Sequence, residues 1–85
     1  MQYDPSTIEK LKQLYEAKKL AVISGDYERA IKIKTAIDRM KHIGTKLNEL
    51  VQKKKVALDK YDFQMAKKLK EEIEGLRETV LNARL

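Results

Sequence analysis

Apolar residues recur at steps of three and four along most of this 85-residue chain. Such steps place them on one face of an α-helix, whereas a half-buried strand would need strict alternation. Steps of three and four in alternation are typical of a narrow seam of the coiled-coil type. The clearest stripes define a predicted structural seam of ten residues: Tyr27, Ala30, Ile33, Ile37 and Met40, then Phe63, Ala66, Leu69, Ile73 and Leu76.

These two stripes belong to an internal repeat with an offset of 36 residues, in which residues 26–41 match residues 62–77. Five of the 16 aligned positions are identical and five more are chemically similar. The match continues upstream, so we place repeat one at residues 11–41 and repeat two at residues 47–77. A repeat of this length is one supersecondary unit, and each copy has the pattern of a helical hairpin.

Capping signals divide the chain into three predicted helices. The first starts at Asp4-Pro5, or at Ser6 with Glu9 as a capping box, and runs to about Ile23. Gly25 suits the left-handed residue that ends a helix. Asp26 and Asp62 are natural N-caps for the helices that follow.

The second helix has no strong stop signal before residues 59–62, and its stripe continues through Leu47, Val51 and Leu58. Gly44 weakens it, at a cost of roughly 1 kcal/mol relative to Ala, but we expect it to be continuous. The third helix should run from Phe63 to about Ala83.

Short connections between these helices require antiparallel neighbours. We therefore predict a single all-α domain over residues 1–85, in which three helices form two antiparallel hairpins that share a long central helix. The arrangement is either elongated and coiled-coil-like or, if the first and third helices overlap, a small three-helix bundle.

The composition adds limits to this picture. The chain is 38% charged, has a mean hydropathy of −0.60 and no Cys, so we expect no transmembrane segment and no disulfide. No secretory leader pattern opens it. The net charge of +6 favours acidic partners. Solvated lysine stems that cover the seam explain the basic clusters at residues 18–19, 53–55 and 67–68 better than a nucleic-acid site does.

Candidate chemistry is sparse. The single histidine, His42, has only Lys and Arg at helical spacing from it, which argues against a metal site. Glu71, Glu72 and Glu74 lie in a lysine-rich stretch where ion pairs one turn apart explain them. The three glycines form no phosphate-binding loop. We therefore expect no enzyme activity, no cofactor and no metal.

Apolar residues that occur in only one repeat are not explained by the fold that the two repeats share. Ile31 corresponds to Lys67, and Met65 corresponds to Arg29. Together with Ile43, these two form our candidate partner surface. Packing of the first helix against the third is an equal alternative for the same residues.

The repeated pattern Asp-aromatic-x-x-Ala-x-x-[Ile/Leu]-Lys-x-x-Ile-[Asp/Glu] resembles the UVR motif, a helical hairpin that mediates protein–protein contact in bacterial excision-repair subunits. The order of motifs along nearly the whole chain is similar to the helical segment of the centrosomal protein of 104 kDa family. The matching segments are residues 3–5, 16–22, 26–27 with Ala30 and 34–37, 43–44 with Leu47, and 61–63 with 66–67.

The resemblance implies a fragment of a microtubule-associated protein at centrioles and ciliary tips, within the cytoplasm and cytoskeleton. In that family a jelly-roll domain precedes this segment, and a tubulin-binding TOG domain and zinc fingers follow it. Tubulin binding is therefore expected from other domains, and a linking or oligomerising role from this one. The +6 charge opposes self-association, so we expect a different protein as partner rather than a second copy. The alternatives are a UVR-type docking module of a nucleic-acid-repair complex and a basic helical domain that binds nucleic acid directly.

Overall fold

The computed structural model describes residues 3–83 and contains three α-helices: α1 (Pro5–Ile23), α2 (Tyr27–Asp59) and α3 (Phe63–Leu81). No strand occurs in this range, which confirms the predicted all-α fold. Helix α2 is unbroken at Gly44. Helix α3 stops at Leu81, two residues before the predicted end.

An aspartate caps the start of each helix. The side chains of Asp26 and Asp62 accept hydrogen bonds of 3.1 Å from the backbone amides of Arg29 and Met65. Each bond satisfies one of the orphan amides in the first helical turn. Helix α1 is capped by Asp4, with Pro5 at the first helical position. The alternative start, a capping box of Ser6 and Glu9, was therefore wrong.

The two interhelical turns have the same geometry. In the first, the amide of Asp26 donates to the carbonyl of Ala21 at 2.8 Å. In the second, the amide of Asp62 donates to the carbonyl of Ala57 at 2.8 Å. These bonds close a Schellman motif, which needs a left-handed residue after the helix. Gly25 fills that position with φ 77°, whereas Tyr61 fills it in the second turn with φ 58°.

The helices form two hairpins that share α2. Helix α1 packs along the first half of α2 and α3 along the second half, while α1 and α3 meet only briefly. The described chain accordingly measures 54 × 21 × 15 Å. Of the two predicted arrangements, the elongated one is therefore correct.

Most of the predicted seam forms the core. Six of its residues are buried: Ile33, Ile37, Met40, Ala66, Leu69 and Ile73. Ala30 and Leu76 are partly buried against that core. The repeat also places Leu14 and Leu50, and Ala21 and Ala57, at equivalent buried positions. The second half of α2 thus has the role in hairpin two that α1 has in hairpin one.

Tyr27 and Phe63 do not belong to the seam. Their side chains are 65% and 64% exposed, so their assignment to hairpin packing was wrong. A step of three residues falls about 60° short of a full turn. Two such steps separate Ile33 from Tyr27, and they turn Tyr27 about 120° away from the buried face. The same holds for Phe63 relative to Leu69.

The buried face of α2 also rotates along its length. Leu50 and Ala57 are buried, whereas Leu58 is exposed and Val51 only half-buried, so the predicted continuation through Leu58 was wrong. Met40 and Leu50 lie about 80° apart around an ideal helix. The stripe shifts because α1 and α3 pack on different sides of α2.

The hairpins meet at the middle of α2. Gly44 is buried there, and a Cβ atom on it would lie only 2.7 Å from Cγ2 of Thr7. A few residues away, the Arg77 guanidinium donates to the buried Asp4 carboxylate at 2.8 Å and 3.3 Å. This ion pair joins the start of α1 to the end of α3. Chiefly through its hydrogen bonds, Arg77 holds the pKa of Asp4 below its usual value.

Candidate functional site

Each hairpin carries three exposed apolar residues near its turn, at equivalent positions of the repeat. We call these six side chains the tip residues: Leu20, Val22 and Tyr27 in hairpin one, and Val56, Leu58 and Phe63 in hairpin two. Leu20 is 58% exposed and its counterpart Val56 is 50% exposed. An apolar residue that is buried in both repeats is explained by core packing. An apolar residue that is exposed in both repeats needs another explanation.

Two of the tip residues, Leu20 and Val56, line two grooves that are equivalent in the repeat. The first groove lies between α1 and α2, has a volume of about 460 Å³ and is lined by Ala17, Leu20, Ala21, Ile23, Ser24 and Arg29. The second groove lies between α2 and α3, has a volume of about 600 Å³ and includes Lys53, Val56, Ala57, Lys60, Met65 and Leu69. Five of the six positions that line the first groove recur, 36 residues later, in the second.

The grooves form where a small residue lies between the helices near each turn. Ala21 and Ala57 are buried in the two hairpins, and each contributes only a methyl group at that level. Larger side chains on either side, such as Leu20 and Val56, stand beside this shallow floor and remain half exposed. The same local sequence thus builds the same concave apolar surface twice, at opposite ends of α2.

Charge is distributed unevenly between the hairpins. Residues 51–70 contain seven lysines and two aspartates, a net charge of +5 out of the chain's +6. Residues 15–34, the equivalent stretch of hairpin one, carry five cations and three acids, a net +2. The two ends of the molecule therefore have similar shapes and different electrostatic potentials.

Two aromatic residues extend the apolar surface at the second turn. Tyr61 is exposed, and its ring packs edge-to-face with Phe63 at a centroid distance of 6.3 Å. Tyr61 holds the left-handed conformation that glycine holds in the first turn. The backbone of a bulky residue is strained in that region. We therefore expect the turn that exposes the aromatic pair to be less stable than the same turn with glycine.

The candidate partner surface of Ile31, Ile43 and Met65 is not one surface. Ile43 packs partly buried against the core. Ile31 is 66% exposed near the start of α2, whereas Met65 lines the second groove beside Val56. At 1.5 Å per residue, Ile31 and Val56 are about 38 Å apart along α2. Met65 belongs to the second groove, and Ile31 lies near the opposite end of the molecule.

The sequence analysis assigned Tyr27 and Phe63 to the seam and Leu58 to the stripe of α2, and it did not identify the other tip residues or Tyr61. A signal for them existed, because the positions of Leu20 and Val22 are apolar in both repeats and directly flank Ala21, which is identical in the two copies. Adjacent helical residues point about 100° apart, so neither could share the buried face. Comparing the repeats for positions that are apolar yet off the seam would have found them.

The described residues offer little chemistry beyond these surfaces. Residues 3–83 contain no cluster of three His, Cys, Asp or Glu side chains that could hold a metal ion. His42 is exposed, as are the three glutamates of α3, one of which, Glu74, pairs with Lys70 at 4.0 Å. None of the three described helices is long and apolar enough to span a bilayer.

No protein-family model, curated protein or solved structure matches this chain.

Proposed function

We propose that this chain is a non-catalytic protein-interaction module that binds its partners through the two hairpin ends. The observation that supports this proposal is the recurrence of exposed apolar tip residues at equivalent positions, as with Leu20 and Val56. Isolated exposed apolar residues are common on proteins, but contiguous apolar patches mark interaction sites. Leu20 and Val56 each line a groove together with other apolar side chains, and this recurrence supports a module that contacts protein at both ends.

Within a larger protein, we place this module in a microtubule-associated component of centrioles and ciliary tips. That placement rests on the resemblance of its motif order to the centrosomal protein of 104 kDa family. In this proposal other domains contact tubulin, and the present chain links that protein to a further protein partner. The long α2 would hold the two binding ends a fixed distance apart.

The experiment is affinity purification from ciliated cells with isotope-labelled quantification of bound proteins. The test variant carries Leu20→Ser and Val56→Ser, which remove one tip residue from each hairpin. The control is Ile31→Ser, which removes a similarly exposed apolar side chain outside the tip residues. We expect a set of centriolar or ciliary proteins that the test variant loses and the control retains. A test variant that retains every protein bound by the wild type would contradict the proposal.

A second candidate is a UVR-type docking module of a nucleic-acid-repair complex. The repeated Asp-aromatic hairpin pattern favours it, since that pattern resembles the repair-protein motif. The same purification separates the two, because nuclease or helicase subunits would then be lost with Leu20→Ser and Val56→Ser in place of ciliary proteins.

Self-association is the remaining form of a protein-interaction role. The net charge of +6 opposes it at low ionic strength, where charges are least screened. We expect light scattering to give a monomer mass at both low and high salt. A dimer that strengthens as salt rises would show instead that the tip residues bind a second copy.

A further inference from the structure

The two grooves share a floor and differ at their edges. Ala17 and Ser24 of the first groove are replaced by Lys53 and Lys60 in the second. Arg29 is replaced by Met65, a flexible and polarisable side chain that adapts to varied apolar surfaces. The second groove therefore has an apolar side chain where the first has a cation, and it has two border lysines that the first lacks.

The lysines around the second groove lack acidic partners in the described chain. The two ion pairs found among residues 3–83 are Lys70 with Glu74 and Arg77 with Asp4. Steps of three and four along α3 also place Lys68 in the same row as Met65 and Glu72, so a third lysine borders the groove. These ammonium groups attract an anionic partner.

Two acidic residues, Asp62 and Glu72, also line this groove and equal its two lining lysines in number. Asp62 is the N-cap of α3, and its Oδ1 already accepts the Met65 amide. Glu72 lies ten residues beyond Asp62, or nearly three turns along α3, at the end of the groove away from the turn. The attraction for an anionic partner therefore comes from the whole stretch of residues 51–70, in which seven lysines outnumber two aspartates.

The packing of hairpin two leaves room for another helix. Helix α1 reaches α2 only as far as the region of Gly44, where Thr7 contacts it. Beyond that point the second half of α2 is covered by α3 alone, so two antiparallel helices present an open groove. An amphipathic helix laid into such a groove buries its apolar face with anchors at steps of three and four.

From these observations we propose that the second groove binds an acidic amphipathic helix from a partner protein. This inference rests on the proposed function and names the chemistry of the partner at one of its two ends. Apolar anchors of that helix contact Val56, Met65 and the floor at Ala57 and Leu69, and its carboxylates face Lys53, Lys60 and Lys68. A protein helix fits better than nucleic acid because the groove is apolar at its centre and residues 51–70 contain no arginine.

The probe is a fluorescein-labelled synthetic peptide of about 18 residues, or five helical turns. It carries leucines at steps of three and four and glutamates on both flanks of that stripe. A scrambled peptide of the same composition keeps the charge and loses the apolar face. An oligothymidylate of equal net charge represents nucleic acid. Fluorescence anisotropy measures Kd for each with the full chain.

Two variants with the same change in net charge test the position of the site. Lys53→Glu with Lys60→Glu reverses charge at the second groove, and Lys32→Glu with Lys34→Glu does so at exposed sites of hairpin one. We expect the first pair to weaken peptide binding about tenfold or more and the second pair less than about threefold. Val56→Ser with Met65→Ser should also weaken binding about tenfold, and the scrambled peptide should bind wild type at least tenfold more weakly. Circular dichroism confirms that each variant keeps its helical content.

Equal weakening by both charge-reversal pairs would show a non-specific charge effect and overturn the inference. Equal affinity for the scrambled peptide, or tighter binding of the oligothymidylate, would overturn it as well. Such results leave the proposed function intact if Leu20→Ser with Val56→Ser still loses cellular partners. If that variant loses none, the proposed function itself fails.

Discussion

At the residue scale, the three glycines of this chain have three different roles. Gly25 supplies a left-handed turn conformation, Gly44 allows two helices to approach closely, and Gly75 lies on an exposed helical face with no atom within 4 Å of an added Cβ. Sequence reasoning treated Gly44 only as a weak point in a helix. Its environment shows that the missing side chain is required by packing.

Substitution of Gly44 and Gly75 by alanine should therefore change stability in opposite directions. Gly75→Ala should raise the free energy of unfolding by roughly 0.5–1 kcal/mol, because alanine is the better helix former. Gly44→Ala should lower it by about 1–3 kcal/mol, since its Cβ would overlap Thr7. Urea denaturation followed by circular dichroism measures both. A stabilised Gly44→Ala variant would show that α1 does not approach α2 as closely as described.

Tyr61 gives the converse case, a bulky residue where the fold favours glycine. Tyr61→Gly removes the strain of φ 58° and should stabilise the hairpin by roughly 0.5–1 kcal/mol, less whatever the contact with Phe63 contributes. Gly25→Ala at the equivalent position should destabilise, because its φ is 77°. Thermal unfolding of both variants provides the measurement. A less stable Tyr61→Gly variant would mean that the aromatic pair outweighs the backbone strain.

At the scale of single helices, local sequence signals predicted where the helices lie but not which face of each helix is buried. The caps at Asp26 and Asp62 and the stripes behind them act within one or two turns, so the sequence predicted them correctly. The exposure of Tyr27 and the shift from Leu58 to Ala57 depend on where a neighbouring helix lies. That position is decided by contacts between residues far apart in sequence, such as Asp4 with Arg77, which no local pattern shows.

A further prediction concerns two equivalent seam residues, one in each hairpin. Ile37 and Ile73 are equivalent positions that are 3% and 1% exposed. Replacing either by alanine should lower the free energy of unfolding by about 2–5 kcal/mol, through lost burial and the cavity left behind. Ile31→Ala should cost less than about 1 kcal/mol, because its side chain is mostly exposed. Chemical denaturation tests all three, and equal losses at Ile31 and Ile37 would reverse the assignment of the buried face of α2.

At the scale of the whole molecule, the chain resembles a short rod with a similar apolar groove near each end. Its two hairpins share one helix, and their other contacts gather near the middle, around Gly44 and the Asp4–Arg77 ion pair. Whether the hairpins unfold together therefore depends on a small junction. The two ends are similar in shape and different in charge, so the proposed interaction role predicts that they differ in the partners they accept.

The ion pair at this junction should make stability depend on pH in a defined window. Arg77 lowers the folded-state pKa of Asp4, so the unfolded chain binds a proton more readily than the folded chain. The resulting stabilisation is fully present above the ordinary Asp pKa of about 3.9. It is lost as pH falls through the lower folded value.

Arg77→Gln should accordingly lower the free energy of unfolding at pH 7 by about 1–3 kcal/mol, because a buried carboxylate loses its charged partner. The variant should also lose less stability than wild type when pH falls from 5 to about 2. Arg39→Gln, at an exposed arginine, is the control and should match wild type in both respects. Denaturant unfolding across this pH range measures the difference. Parallel curves for wild type and Arg77→Gln would show that the two hairpins are joined by apolar contacts alone, and that the charge at Asp4 contributes nothing to holding the rod together.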